Sequence, residues 1–403
     1  MDALAADSLT APFSAESFDS GAAAVLILGG GLIGLAIAHQ LARRGQSVLV
    51  LSRRRSEAAG FVAAGMLAPH AEGLSGPLLD LGQRSLGSIP GWVAQIEADS
   101  GLSCGFRPCG IVVPFRSAAE RDAYPTARFG LALDAADLRH EIGGIGAAWQ
   151  AGLLFDQDGQ IDNRRQLMRA LETACVALGV GFQEGSEVLE LLAPAGRLEA
   201  IRLRRTEGEV VTLPCRRAVL ACGAWSARLL PGLPVQPIKG QMLSLQAPRQ
   251  ALKRVLFGPG TYLVPREDGL LVVGATSEPD AGFAAGLTPQ GQSQLEQGLV
   301  SLLPEAAHWP PMERWWGFRP GTPDGLPLLG PAEIAGLWLA TGHYRNGVLL
   351  AAISASLIAN LIEPGASGDA ALLAPFDARR FGRPAPGDQL GRATGLGSAS
   401  ATV

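Results

Sequence analysis

Two glycine turns, one near each end of the chain, carry the residues best suited to chemistry. The first is Gly29-Gly30-Gly31-Leu32-Ile33-Gly34, which sets Gly29, Gly31 and Gly34 at the first, third and sixth places of a GxGxxG pattern. That spacing brings a dinucleotide pyrophosphate onto the backbone N–H groups of a helix N-terminus. The second is Gly342-His343-Tyr344-Arg345-Asn346-Gly347, which opens the apolar run 348–361. It aims another helix N-terminus, with free N–H groups and partial positive charge, at something electron-rich. The five cysteines (Cys104, Cys109, Cys175, Cys215 and Cys222) form no CxxC pair. Inert thiols in a reducing compartment are expected, and no metal site.

The first turn needs particular neighbours, and they are present. The apolar run 25–28 precedes it, residues 32–44 carry apolar side chains at helical spacing, and a second apolar, β-branched run follows at 47–51. Arg43, Arg44 and Gly45 close the helix, with cations in the last turn and a glycine suited to the left-handed position beyond it. Strand, glycine turn, helix and strand form the unit that grips a dinucleotide in an α/β fold. With a similar device at each end, both ends of the chain are expected to close one sheet around one extended ligand.

Composition bounds the rest. The chain has 403 residues, 47% hydrophobic and 17% charged, enough for two domains with packed cores rather than a disordered chain. A net charge of -4 gives no electrostatic footprint for nucleic acid. Residues 1–21 lack the basic start of a secretory signal, and 348–362, the longest apolar candidate, is too short to span a bilayer. A cytoplasmic protein is expected.

Between the turns, 58–72 is a run of small residues that is either an ordinary loop or a backbone passing close to a ligand. Residues 78–101 read as one or two helices, 110–115 as a strand, and 118–142 as helical in part. Asp162 or Asn163 caps a helix carrying Leu167, Met168, Leu171 and Ala174, closed by Gly179. The runs 187–192, 198–204 and 209–213 read as a small antiparallel meander, and 217–223 as a buried strand running into Gly223. From Pro231 the character changes to long alternating strands at 237–245, 261–265, 270–275 and 312–318, with a helix at 290–303; this is a second, antiparallel α+β part. A strand at 336–341 then leads to the second turn, and the tail 366–403 is expected to be mostly flexible, as is the extension 1–21.

Five segments in one order are distinctive: GGGLIG at 29–34, AAGMLAPHAE at 63–72, TYLVPREDGLLVVGAT at 261–276, WWGFRPGTPDGLPLLG at 315–330 and GHYRNGVLLA at 342–351. In them the chain resembles the FAD-dependent amine oxidases of the D-amino acid oxidase superfamily, and within it the glycine oxidases of thiamine biosynthesis. The likeness spans residues 22–365. It implies a Rossmann-like FAD-binding domain of glutathione-reductase type, built from 22–75, 150–235 and 322–365. A substrate domain of 76–149 and 236–321 completes it.

The resemblance also implies roles. Gly29, Gly31, Leu32, Ile33 and Gly34 would lie at the FAD pyrophosphate, Ser52 and Arg53 at the adenosine ribose, and Val188 at the adenine. Ala64, Gly65 and Met66 would border the flavin, with Gly223 passing close by. His343, Tyr344, Arg345, Asn346, Gly347, Val348 and Leu349 would line the pyrimidine side of the ring. Arg319 would hold the substrate carboxylate, for which a planar guanidinium is suited, with Tyr262 and Arg345 nearby. Arg345 reads equally as a substrate contact or as a cation packed over the turn. No catalytic acid–base residue is implied. The reaction would be oxidative deamination of glycine or another small amino acid, with O2 reduced to H2O2 and the imine hydrolysed or handed to a thiazole-forming enzyme. Self-association into a homo-oligomer is compatible with this reading.

Three positions depart from the pattern. Ser52 stands where an acidic residue usually holds the ribose, followed by Arg53, Arg54 and Arg55, which would also suit the 2′-phosphate of NADP. Ala59-Gly60-Phe61 replaces a hydroxyl-rich turn, and Ser277 replaces a bulkier Met beside the substrate. A flavin dehydrogenase with a non-oxygen acceptor, and a non-catalytic FAD-binding protein, therefore stand as alternatives.

Overall fold

A computed structural model describes residues 24–363 and 369–382; the expected extension 1–21 and most of the tail lie outside the described residues. Val25–Leu28 sits inside a six-stranded sheet, in the order Leu328–Pro331, Leu337–Thr341, Ala218–Leu220, Val25–Leu28, Val48–Ser52 and Gly181–Glu184. Only the first pair is antiparallel. Both ends of the chain thus meet in one sheet. Alternation along its strands feeds two cores. Val25, Ile27, Val48, Val50 and Val219 face the helices, and Leu26, Leu28, Leu49, Leu51 and Leu220 face the meander Glu187–Leu192, Ala200–Arg204 and Val210–Pro214.

Four helices pack on the valine face: Leu32–Arg43, Gly76–Ser100, Met168–Ala177 and Gly347–Ile362. The last is apolar almost all round, as a helix buried on every side must be. Gly76–Ser100 is one continuous helix rather than two. Pro90 stands on its exposed side, so the bond its missing N–H forfeits faces water. Asp162 takes the cap expected of it by accepting from the Arg165 N–H, and Asn163 turns inward instead.

The second sheet has eight strands, in the order Pro311–Gly321, Gln236–Gln246, Leu270–Gly274, Thr261–Pro265, Val255–Gly258, Ile111–Phe115, Ala151–Phe155 and Leu131–Leu133. All pairs are antiparallel except Val255–Gly258 with Ile111–Phe115. The helix Pro289–Leu302 covers one face, and the other packs Val113, Leu153, Phe155, Met242, Val264 and Val272 against Ala64, Ala68 and Ala71. Ala151–Phe155 differs from expectation. Its place in 150–235 predicts a strand of the nucleotide-binding part, but Leu153 and Phe155 pack on one face of this sheet and Leu154 on the other.

Local packing sets the two turns. Gly29 has φ +114°, open to glycine, and a Cβ on Gly34 would stand 1.9 Å from the Gly29 carbonyl oxygen. The helix can therefore start close against the strand only with glycine at 34. At the other turn, the buried His343 Nε2 and Ser354 Oγ of the following helix lie 3.0 Å apart. Burial holds this imidazole neutral, with its pKa pushed down to about 3 from 6.5.

Gly34→Ala should cost about 1–3 kcal/mol by overpacking. Gly87→Ala, at an exposed place inside the helix Gly76–Ser100 with no atom within 4 Å of the added methyl, should gain about 0.5–1 kcal/mol. Denaturant midpoints check both, and shifts of the same sign would refute the packing argument. For His343, the unfolded chain takes up a proton near pH 6.5 and the folded chain does not. Stability present above that pH is therefore lost as pH falls toward about 3, at up to about 1.4 kcal/mol per pH unit. Between pH 7 and 5 the midpoint should fall faster in the native protein than in His343→Asn; parallel slopes would rule this out.

Candidate functional site

A cleft of about 590 Å³ runs between the two large sheets. It is lined by Gly29, Gly31, Leu32, Ile33, Ser52, Arg53 and Val188, by Ala64, Gly65, Met66 and Gly223, and by Tyr262, Arg319, His343, Tyr344, Arg345, Gly347 and Val348. Gly34, Asn346 and Leu349 do not line it. Gly34 packs against Gly29, Asn346 is buried at the helix N-cap, and Leu349 lies in the core.

Both helix N-termini that reach the cleft are built for an electron-rich guest. Leu32–Arg43 begins after Gly31 and Gly347–Ile362 after Asn346, each with no side-chain cap bond and no acidic residue in its first turn. Their first N–H groups are left without helical partners. A cleft that two such termini reach suits a dinucleotide such as FAD, which would offer its pyrophosphate to one turn and an electron-rich ring to the other.

The loop 58–72 is held from several sides. Asn163 Nδ2 donates to the Gly60 carbonyl at 2.5 Å, Trp315 Nε1 to Val62 O at 2.9 Å, and Arg266 Nη2 to Ala64 O at 2.6 Å. Arg266 also donates to Gln160 Oε1, and burial pushes its pKa down to about 10. Much of this loop lines the cleft, with Gly65 at φ +80° packed on the Ile161 carbonyl.

The arginines after Ser52 are each paired. Arg53 meets Glu57 at 2.7 Å and Glu187 at 3.6 Å, Arg54 meets Glu57 at 2.6 Å, and Arg55 meets Glu172 at 2.7 Å and Glu184 at 3.0 Å. Their charge is compensated, which removes the electrostatic case for a 2′-phosphate of NADP.

Arg319 rises from Pro311–Gly321 and its guanidinium crosses Gly240 of the neighbouring strand, where a Cβ would stand 2.3 Å from Nη1. Nη1 donates to the Thr276 carbonyl at 3.0 Å. That carbonyl is steadied in turn: Thr276 Oγ1 accepts from the Gln241 N–H at 2.8 Å and donates to Glu278, which pairs with the buried Lys239 at 3.6 Å. Tyr262 lies over Gly274 and stacks on Phe257. Burial pushes its hydroxyl up and Arg319 pulls it back, so it stays a proton donor at neutral pH. Tyr344, at φ +46°, donates its N–H to the Pro320 carbonyl at 2.9 Å and ties the second turn to the strand of Arg319. Arg345 is half-exposed, 3.6 Å from Glu72 and with its guanidinium 5.6 Å from the Tyr344 ring.

Sequence reasoning gave no role to Glu72, Gly240 or Arg266. Two of them carried a signal, Gly240 as a glycine inside a long strand and Arg266 as a cation flanked by strands; Glu72 carried none that sets it apart from a solvated acid. Ser277 does line the cleft. Cys222 also lines it, but its thiol donates to Leu28 O and burial pushes its pKa up to about 12, so it is no nucleophile. Among the described residues, no group of three His, Cys, Asp or Glu is placed to hold a metal ion, and no helix is long and apolar enough to cross a membrane.

Comparison with known proteins agrees with this geometry. The bifunctional protein ThiO/ThiG of Synechocystis is 44% identical over 346 residues, covering 84% of this chain and 51% of that protein. The chain thus spans about half the length of the first relatives it matches. A glycine oxidase from Pseudomonas aeruginosa is 31% identical, with 84% of this chain and 94% of the relative covered. The crystal structure of glycine oxidase from Geobacillus kaustophilus superposes with a TM-score of 0.80 at 30% identity, over 88% of this chain and 98% of that one. The family model described as FAD dependent oxidoreductase (DAO) matches residues 24–361, and the chain belongs to that family.

Proposed function

We propose that the chain oxidises glycine or another small primary or secondary amino acid, such as sarcosine or D-alanine, to the imine and 2-oxo acid, with O2 reduced to H2O2. One observation carries this reading: Arg319, Tyr262 and Arg345 line the same cleft as the 29–34 turn, with both guanidinium groups acting on the Tyr262 hydroxyl. The glycine oxidases among the relatives support the substrate class.

Bound FAD supplies the two-electron acceptor. The chain supplies position and charge. The turn of Gly29, Gly31, Leu32, Ile33 and Gly34 holds the pyrophosphate, Ser52 and Arg53 the ribose, and Val188 the adenine. Ala64, Gly65, Met66 and Gly223 flank the flavin ring, and residues 343–349 hold its pyrimidine side. The helix N-terminus at Gly347 favours negative charge there. Arg319 takes the substrate carboxylate in a forked pair of hydrogen bonds, and the Tyr262 hydroxyl adds a donor. Fixing the carboxylate turns the α-carbon toward the acceptor, so orientation does the work of a catalytic residue.

In this reading residues 22–75, 150–235 and 322–365 form the FAD-binding part and 76–149 with 236–321 the substrate part, the strand Ala151–Phe155 excepted. Relatives named ThiO/ThiG support a hand-over of the imine to a thiazole-forming enzyme. The five free thiols support a cytoplasmic, reducing setting.

Arg319→Ala should raise the KM for glycine by about 100-fold, since a charged, forked contact is lost; unchanged kinetics would sink the assignment. Hydride leaves the α-carbon only when the nitrogen lone pair is free to form the imine, so an ammonium must first lose its proton to water; kcat/KM should rise with pH toward the substrate's amine pKa, and a flat profile would count against the mechanism. Anaerobic bleaching of the flavin by glycine, sarcosine and D-alanine, followed by peroxide release in air, checks the reaction and its acceptor together.

A further inference from the structure

Glu72 ends the loop whose earlier residues line the cleft, and lines the cleft itself. Its side chain is 8% exposed, and Oε2 has no hydrogen-bond partner; the Arg345 Nη2 atom stands 3.6 Å away. A carboxylate so withdrawn from water with an open oxygen is costly unless a donor meets it. The backbone just before it is fixed on both sides. The His70 and Ala71 N–H groups donate to Asp158 at 3.2 and 2.8 Å, Thr126 Oγ1 donates to His70 O at 2.6 Å, and the Tyr124 hydroxyl to Ala71 O at 2.6 Å. An open oxygen on so firmly held a backbone is a preorganised acceptor.

The charges around it point to a guest. Two guanidinium groups, Arg319 and Arg345, serve an anion, while an amino acid brings a cation as well. We infer that the Glu72 carboxylate receives the substrate's ammonium group, so that the cleft selects amino acids over plain carboxylates. This rests on the reading of Arg319 as the carboxylate anchor. Burial pushes the Glu72 carboxyl up, Arg345 and Arg319 pull it back, and Asp158 repels it; the tyrosines Tyr124 and Tyr262 face it as neutral phenols. A bound ammonium stands with the two arginines in keeping it ionised.

The test uses the flavin-loaded full chain with two probes: glycine, by its KM, and glycolate, which has the carboxylate without the amine, by the shift it causes in the flavin spectrum. In Glu72→Gln the glycine KM should rise 10- to 100-fold while the glycolate Kd stays within about threefold or tightens. A glycine KM that does not move, or both constants moving together, overturns the proposal. Should the Gln variant not retain flavin, Glu72→Asp replaces it: the shortened carboxylate should raise the glycine KM alone, and parallel changes again overturn the proposal. Failure of the underlying reading looks different. There, glycine leaves the native flavin oxidised, or Arg319→Ala leaves glycolate binding untouched.

Discussion

A backbone that runs between two sheets without joining either must still find partners for its N–H and C=O groups. Residues 58–72 live under that constraint, and the cleft depends on how they meet it. A short ladder of Met66–Leu67 with Gly159–Ile161 serves part of it, and buried side chains serve the rest: Asn163, Trp315 and Arg266 donate to its carbonyls, and Asp158 accepts from two of its amides. Trp315 and Arg266 come from the eight-stranded sheet, from Pro311–Gly321 and the end of Thr261–Pro265, and Asn163 from the helix start that follows Asp162. Small residues at Ala63, Ala64 and Gly65 are what such a path requires, because any Cβ on Gly65 would strike the Ile161 carbonyl.

Charge follows a similar economy. Cations after Ser52 are neutralised in pairs by Glu57, Glu172, Glu184 and Glu187, and Lys239 is matched by Glu278. Arg319 keeps no carboxylate partner among the described ion pairs; it rests on a carbonyl, which steers the guanidinium without cancelling its charge. Positive character at Arg319 therefore stays uncancelled, whereas the arginines after Ser52 are matched.

Much of this was legible in residue order. The 29–34 turn, its flanking elements, the meander and the long antiparallel strands announced themselves by glycine spacing and by period-two alternation. What escaped notice was short or apolar on both faces: Leu131–Leu133, Gly181–Glu184, Val255–Gly258 and Ala151–Phe155 carry no alternation because neighbours cover both of their sides or because they are too brief to show a period. At the site, Arg319 could be singled out because a distinctive segment surrounds it. Glu72 could not, since nothing local tells a carboxylate in a small-residue loop from a solvated one; only burial against two guanidinium groups does.

The position of Val25–Leu28 also bears on how the protein is made. This strand emerges early, yet its neighbour Ala218–Leu220 follows roughly 190 residues later, and Leu337–Thr341 more than 100 residues after that. The glycine turn therefore leaves the ribosome long before the sheet that braces it can close. The second turn is made after both. Until residues 342–347 have been made, the cleft has its first glycine turn and lacks the second helix N-terminus, so its lining is complete only once Gly347 and Val348 have joined.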